Sequence, residues 1–233
     1  MNTLIPIGTI NRIDINSKNI NKYDLNDCDS LVISGPMGSG KTKQIINLVK
    51  KYNNIIFVTF RVTLINQLSE IFSEFTKYND IENKIIDLNL YNKVITTVDS
   101  IHRIVGECDL LIIDEFTYTM THLVEYVKER QMAYSTLTQY LNNKDTKLLA
   151  IDALVEEEDI NFLTYFKEKI NYINYNYPFH KNKKIYNYQN NLGLFFNKIK
   201  EDLNNDKKIV ICANSKSHIL FFEELIKKEF PSK

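Results

Sequence analysis

A surplus of charge of either sign is the first thing this chain lacks. Lysine plus arginine total 29 and aspartate plus glutamate total 29, so bulk charge argues neither for a polyanionic partner nor against one. Any anion site must be a local patch. Long apolar runs are missing too: stretches such as Leu110–Ile113 fall far short of the roughly 20 residues that span a bilayer. Met1–Asn19 has no basic-then-apolar signal pattern, so we expect a soluble, intracellular chain. The three cysteines, Cys28, Cys108 and Cys212, lie far apart with no CxxC pair. That spacing argues against a zinc site or a disulfide framework and fits a reducing compartment.

Glycine is scarce as well, with six in 233 residues, yet Gly35, Gly38 and Gly40 fall within six residues beside Pro36, one of four prolines. A chain this poor in glycine has concentrated it where the backbone needs freedom. Around that point short apolar runs alternate with longer amphipathic stretches. Strands are expected at Leu31–Ser34, Ile55–Thr59, Val94–Thr97, Leu110–Asp114 and Lys147–Ile151, and helices at Thr42–Tyr52, Thr63–Tyr78, Tyr118–Leu141 and Val155–Lys169. In the second helix Leu64, Leu68, Ile71 and Phe72 form the i, i+4, i+7, i+8 stripe of a half-buried helix. Such alternation implies an α/β fold, its mainly parallel sheet covered by helices on both faces. Residues 1–28, polar and aperiodic, read as an N-terminal arm or lead-in. The pattern breaks near Pro178. It resumes with Lys184–Tyr188, a helix over Leu192–Leu203, a strand over Lys208–Ala213 and a helix from Ser215 to Glu229. We therefore expect one domain over 29–177 and the opening of a second over 183–233.

Gly35-Pro36-Met37-Gly38-Ser39-Gly40-Lys41-Thr42 matches the phosphate-binding P-loop pattern in full, with an apolar strand before it and an amphipathic helix after it. Glycines let successive N–H groups curl around a β-phosphate, and the helix N-terminus adds partial positive charge. Lys41 is expected to reach the β- and γ-phosphates of ATP, and the Thr42 hydroxyl to ligate Mg2+. Leu110-Leu-Ile-Ile-Asp114-Glu115 is a buried strand ending in two acids. Alone, that pattern is usually a solvated strand end. Beside a P-loop, Asp114 is expected to hold Mg2+ and Glu115 to orient or deprotonate the attacking water, so that Lys41, Asp114 and Glu115 make up the catalytic set.

Four further segments decide which P-loop protein this is. Val58–Leu68, reading Val-Thr-Phe-Arg-Val-Thr-Leu-Ile-Asn-Gln-Leu, follows the next strand. Thr96–Arg103 reads Thr-Thr-Val-Asp-Ser-Ile-His-Arg, and Leu149–Leu154 and Ile209–Ser215 come later. They stand where superfamily 2 helicases carry motif Ia, the next DNA-contacting motif, and motifs III and IV. The set resembles the herpesvirus-type replication origin-binding protein family of large DNA viruses and related elements, which joins a helicase to origin recognition in DNA replication. The likeness covers about residues 30 to 220 and rests most on Arg61 and on Asp99–Arg103. It implies a RecA-like ATPase domain, the start of a second one, ATP and Mg2+ as cofactors, DNA as partner, and a coupling role for Asp152. The residues agree in part: Thr59, Arg61, Thr97, Ser100, His102 and Arg103 offer hydroxyl and basic donors suited to a phosphodiester backbone. Asp99 reads as a helix cap. Asn214 and Ser215 either line a cleft or cap the last helix, and the tyrosines of Tyr172–Tyr177 either stack on bases or pack against a neighbour. His180 and His218 read as surface or linker residues.

Departures from the pattern matter as much. The acidic motif reads Asp114-Glu-Phe-Thr117, neither DEAD nor DEAH, and no adenine-recognition motif precedes the P-loop. The motifs V and VI of helicases, with their phosphate-stabilising arginines, have no counterpart before Lys233. The expectation is a truncated or split helicase that binds ATP–Mg2+ but hydrolyses it weakly alone, needing a second chain to complete the cleft. Two alternatives stand beside it. A type II thymidine kinase writes a similar P-loop but usually carries paired zinc cysteines, and a helicase half could serve as a non-hydrolysing nucleotide- or DNA-binding module.

Overall fold

A five-residue run such as Ile55–Thr59 shows no polar alternation because both of its faces are covered: every residue in it is buried. The computed structural model describes residues 6–16, 23–176, 191–211 and 215–230. Its strands are β1 (Thr9–Ile15), β2 (Ser30–Ser34), β3 (Ile55–Thr59), β4 (Thr76–Lys77), β5 (Ile86–Asp87), β6 (Lys93–Thr97), β7 (Ile104–Val105), β8 (Leu110–Asp114), β9 (Lys147–Asp152) and β10 (Lys169–Tyr175). Eight of them form one sheet in the order β1-β10-β2-β9-β8-β3-β6-β4, parallel at every pairing, while β5 and β7 make a small separate ladder. Parallel neighbours need crossovers, which the helices supply: α1 (Lys41–Val49), α2 (Val62–Ile71), α3 (Phe116–Glu125), α4 (Arg130–Asn142) and α5 (Glu157–Leu163).

The alternation of side chains along each strand divides the core in two. On one face Val32, Ile56, Val58, Leu111, Ile113 and Ala150 pack with Phe116, Leu137 and Ile160 of α3, α4 and α5. On the other, Leu31, Ile33, Phe57, Ile112 and Ile151 pack with Ile45, Leu48 and Ile65 of α1 and α2. The fold is the α/β, mostly parallel, two-sided sheet that the pattern implies. The chain divides into two compact units, Met1–Lys181 and Asn182–Lys233. The second contains α6 (Leu192–Asn204) and α7 (Lys216–Glu229). Their starts are capped by side chains: Asn191 accepts from the Leu194 N–H at 3.1 Å and Ser215 from the His218 N–H at 3.3 Å. The rings of Phe195 and Phe222 meet edge-on at 5.5 Å. Among the described residues, no helix is long and apolar enough to cross a membrane.

Several elements differ from expectation. The polar lead-in supplies β1, an edge strand whose exposed residues disguise it in sequence. Tyr118–Leu141 is two helices, because the Arg130 guanidinium donates to the Val124 carbonyl at 3.2 Å and ends α3 there. α2 stops at Ile71 so that Phe72 and Phe75 can turn inward onto Phe57, at centroid distances of 5.7 and 6.1 Å. α5 stops at Leu163, and Lys167 folds in to donate to the Asn143 and Thr146 carbonyls at 2.9 and 2.5 Å. Lys208–Ile211 pair with no described strand, while Lys184–Tyr188, His180, Cys212 and Asn214 lie outside the described residues. Ser215 caps α7, and His218 is exposed. Tyr172 and Tyr175 are buried at 5% and 4% exposure on opposite faces of β10, which removes them as a base platform.

Candidate functional site

β2 delivers the chain to the C-terminal edge of the sheet, where open α/β sheets bind ligands. The loop that follows needs two of its glycines for different reasons. At Gly38, φ is +81°, and an added Cβ would meet nothing within 4 Å, so conformation alone demands glycine. At Gly35 an added Cβ would sit 2.7 Å from the Tyr175 Cβ, so close packing demands it. Gly40, also left-handed, opens α1 without any side-chain cap. The first-turn N–H groups therefore face the loop unspent on a side chain. Ser39 is buried with its hydroxyl unpartnered.

Lys41 folds back over the loop, its ammonium donating to the Gly35 carbonyl and to the Pro36 carbonyl at 3.1 Å. Burial pushes its pKa down, and the Asp114 and Asp152 carboxylates push it up again. Asp114, at the tip of β8, is driven the other way. Burial raises its carboxyl to about 6, the Glu115 N–H lowers it, the Glu115 carboxylate raises it, and Lys41 and Asp152 act in opposite senses. Lys41, Thr42, Asp114, Glu115 and Asp152 line one cavity of about 480 Å³ together with Tyr118. Glu115 turns the chain from β8 into α3 with φ at +50°, a left-handed conformation that is costly for a residue bearing a Cβ.

Asp152 ties the parts together. Its carbonyl accepts from the Gly35 N–H at 3.1 Å. Its carboxylate accepts from the N–H groups of Ala153, Thr117 and Leu154 at 2.6, 2.9 and 3.2 Å. Thr117 extends the network, its hydroxyl 2.5 Å from Asp159 and 3.2 Å from the Leu154 carbonyl. The sequence marks Asp152 but hides Thr117, whose partners come from 37 and 42 residues away.

The residues expected along the nucleic-acid path separate into four groups. Arg61 is exposed, at the head of α2. Thr59 and Thr97 are buried, with Thr59 Oγ1 unpartnered. Ser100 is half-buried, and His102 pairs with Glu129 at 3.5 Å. Arg103 is spent inside the protein, its guanidinium donating to the carbonyls of Asn83, Lys84, Ile81 and Tyr78 at 2.7, 3.1, 3.2 and 3.4 Å. Asp99 makes no capping bond. Its carboxylate instead meets His122 Nε2 at 3.1 Å.

A family model described as origin of replication binding protein matches residues 26–229. Over 221 residues the chain is 27% identical to an African swine fever virus protein named for the helicase/primase complex, covering 88% of this chain and 20% of that one. The replication origin-binding protein of human herpesvirus 7 is 28% identical over 229 residues, with 87% and 27% covered. The chain thus spans between 20% and 27% of the length of these relatives. The solved structure of Mss116p bound to ssRNA and AMP-PNP matches with a TM-score of 0.59 at 14% identity, over 88% of this chain and 50% of that one. At that identity the likeness is one of fold.

Proposed function

The chain belongs to the family of origin of replication binding proteins, and on that premise we propose that it is the ATP–Mg2+-binding core of a superfamily 2 helicase-like protein, coupling nucleotide to DNA in replication. The carrying observation is that Lys41, Thr42, Asp114 and Glu115 line a single cavity, with Asp152 between the P-loop and the acids. The cavity fits the cofactor. The loop has a buried, unpartnered Ser39 hydroxyl and a helix N-terminus without a side-chain cap, both free to meet phosphate oxygens. Among the described residues no cluster of three or more His, Cys, Asp or Glu could hold a metal alone. That suits Mg2+, which takes one or two protein ligands and completes its shell with phosphate and water. Gly35 to Thr42 would cradle the phosphates, with Thr42 and Asp114 the metal's protein ligands. ATP–Mg2+ would supply the phosphoanhydride bond and the divalent charge. Lys41 exchanges its carbonyl partners for phosphate oxygens, Glu115 orients the attacking water, and Asp152 passes the state of the P-loop to α3 through Thr117. Arg61 contacts the DNA backbone.

No arginine lines the cavity. Arg12 pairs with Asp14, Arg61 lies on Phe60, and Arg103 and Arg130 hold backbone carbonyls. Arginine fingers contribute about 10³–10⁵ in rate, so these 233 residues alone are expected to bind ATP–Mg2+ and turn it over slowly. An arginine from outside these residues would supply the cation. The family assignment leaves nothing to favour the thymidine kinase reading. Titration with a fluorescent ATP analogue in Mg2+ tests the core claim: Lys41→Ala should weaken binding at least about tenfold. Equal affinities would overturn the proposal, and brisk DNA-stimulated turnover by the 233-residue chain would overturn its arginine clause.

A further inference from the structure

The tip of β3 and the outer side of α3 carry a row of rings that extends beyond the nucleotide cavity. Phe60 and Tyr118 are stacked, with centroids 5.7 Å apart and planes 16° from parallel. Phe60 also meets His122 at 6.1 Å, and His122 stacks on Tyr126 at 5.6 Å and 28°. Positions 118, 122 and 126 share one side of the helix, while Phe116, Thr119 and Leu123 take the core side. Tyr118 is 65% exposed and Tyr126 69%, so this stripe is not part of the core. At its head the Arg61 guanidinium lies 4.6 Å from the Phe60 centroid. No carboxylate among the described residues pairs with Arg61. Two acids beside the row are already engaged, Asp99 by His122 and Glu129 by His102. The row also touches the nucleotide cavity, because Tyr118 lines it.

We propose that Phe60, Tyr118 and Tyr126 form a stacking platform for the unpaired bases of a single nucleic-acid strand, with Arg61 on its phosphates. The proposal rests on the function argued above and adds its substrate class. Exposed aromatic faces beside a guanidinium that no carboxylate neutralises suit a strand whose bases expose their π-faces. In a duplex those faces are already covered by neighbouring base pairs. Rings and one cation read no base edges, so binding here is blind to sequence. Glu115 precedes the first residue of α3, so a base seated on Tyr118 touches a helix whose N-cap and third residue line the nucleotide cavity.

The test is fluorescence anisotropy of the full chain with three labelled probes: a 20-nucleotide oligo-dT, an abasic strand of equal length, and a duplex. The chain should bind oligo-dT more tightly than either of the other probes. Tyr126→Ala, two helical turns from the cavity wall, should weaken oligo-dT binding about tenfold. It should leave abasic binding, circular dichroism and the affinity for the ATP analogue as they were. Tyr118→Ala should weaken oligo-dT in the same way, and Arg61→Ala should weaken both single strands together and flatten their salt dependence. Wild-type affinity of Tyr126→Ala for oligo-dT would overturn the platform. So would equal binding of oligo-dT and abasic strand, which leaves the DNA-backbone reading intact. Binding of no probe at all would sink the platform and the DNA reading together. Concentration-dependent dimerisation abolished by Tyr126→Ala, with oligo-dT affinity unmoved, would reassign the row to an interface between copies.

Discussion

Replacing Arg103 separates a structural arginine from a nucleic-acid contact. Its guanidinium makes four hydrogen bonds to the carbonyls of the Tyr78–Lys84 segment. The bonds to Lys84 and Asn83 are exposed, so water replaces them at little cost in Arg103→Ala. Those to Tyr78 and Ile81, at 3.4 and 3.2 Å, are partly buried and leave carbonyls that water reaches less well. Each such loss costs about 1 kcal/mol or more, and the face of Tyr78, 5.8 Å from the guanidinium, adds a few tenths. The expected destabilisation is about 2–3 kcal/mol. With a urea slope near 2 kcal/mol per molar, the unfolding midpoint should fall by about 1–1.5 M. Arg103→Lys, with one ammonium in place of a planar fork, should recover less than half of that. Oligonucleotide affinity, measured well below the midpoint, should stay within twofold of wild type. An unmoved midpoint together with a tenfold loss of DNA affinity would refute the argument and restore Arg103 to the nucleic-acid path.

Three further outcomes follow from the site and the base of the sheet. Glu115→Gly removes the left-handed penalty at φ +50°. After the glycine entropy cost it should gain up to about 1 kcal/mol, a few degrees in Tm, while losing ATP turnover; a lower Tm would contradict this. Asp114 has a folded pKa of about 6, raised from 3.8 mainly by burial. Its stabilising effect is thus fully present below pH 4 and lost as pH rises through 6. Asp114→Asn should therefore melt above wild type at pH 7.5 without nucleotide, yet lose Mg2+-dependent affinity for the ATP analogue, and a lower melting point would show that burial does not dominate. Lys167, 2% exposed, is held down to about 8 from 10.5, first by burial. Between those values the unfolded chain carries more protons, so stability rises with pH from 8. Above 9 the Cys108 thiol, pushed up to about 12 by burial, opposes it. Between pH 8 and 9 wild type should gain roughly 1 kcal/mol by urea titration and Lys167→Met none; parallel profiles would refute the assignment.

What could be read from sequence was what is encoded locally. The five central strands were expected within one residue of where they lie, because a strand buried on both faces must be apolar throughout. The phosphate loop shows in eight consecutive residues for the same reason. β1 did not show, since Arg12 and Asp14 leave an edge strand looking like a loop until Asn174 bonds Asp14 at 2.7 Å. Arg61 and Arg103 both sit just past strand tips, and nothing local tells them apart. The difference lies in carbonyls 19 to 25 residues from Arg103. Tyr118 and His122 fall in a stretch expected to be helical, and Tyr126 caps its end where one long helix was expected, but the register of that helix against the sheet decides which side meets water.

On the proposed function, the hydrogen bonds of Asp152 would let the nucleotide and nucleic-acid faces communicate over a short path. The Gly35 N–H fixes the P-loop to the end of β9, and the Asp152 carboxylate fixes the first turn of α3 to the same point. α3 is therefore held at one end by the residue that also sets the entry to the phosphate loop. On the proposed function, Lys41 would leave the Gly35 and Pro36 carbonyls for phosphate, and the field it shares with Asp114 and Asp152 would change at both. Any adjustment there would act directly on the start of the helix that carries Tyr118. Two sites sharing one rigid element require no wire between them, only that the element rest differently when each is filled.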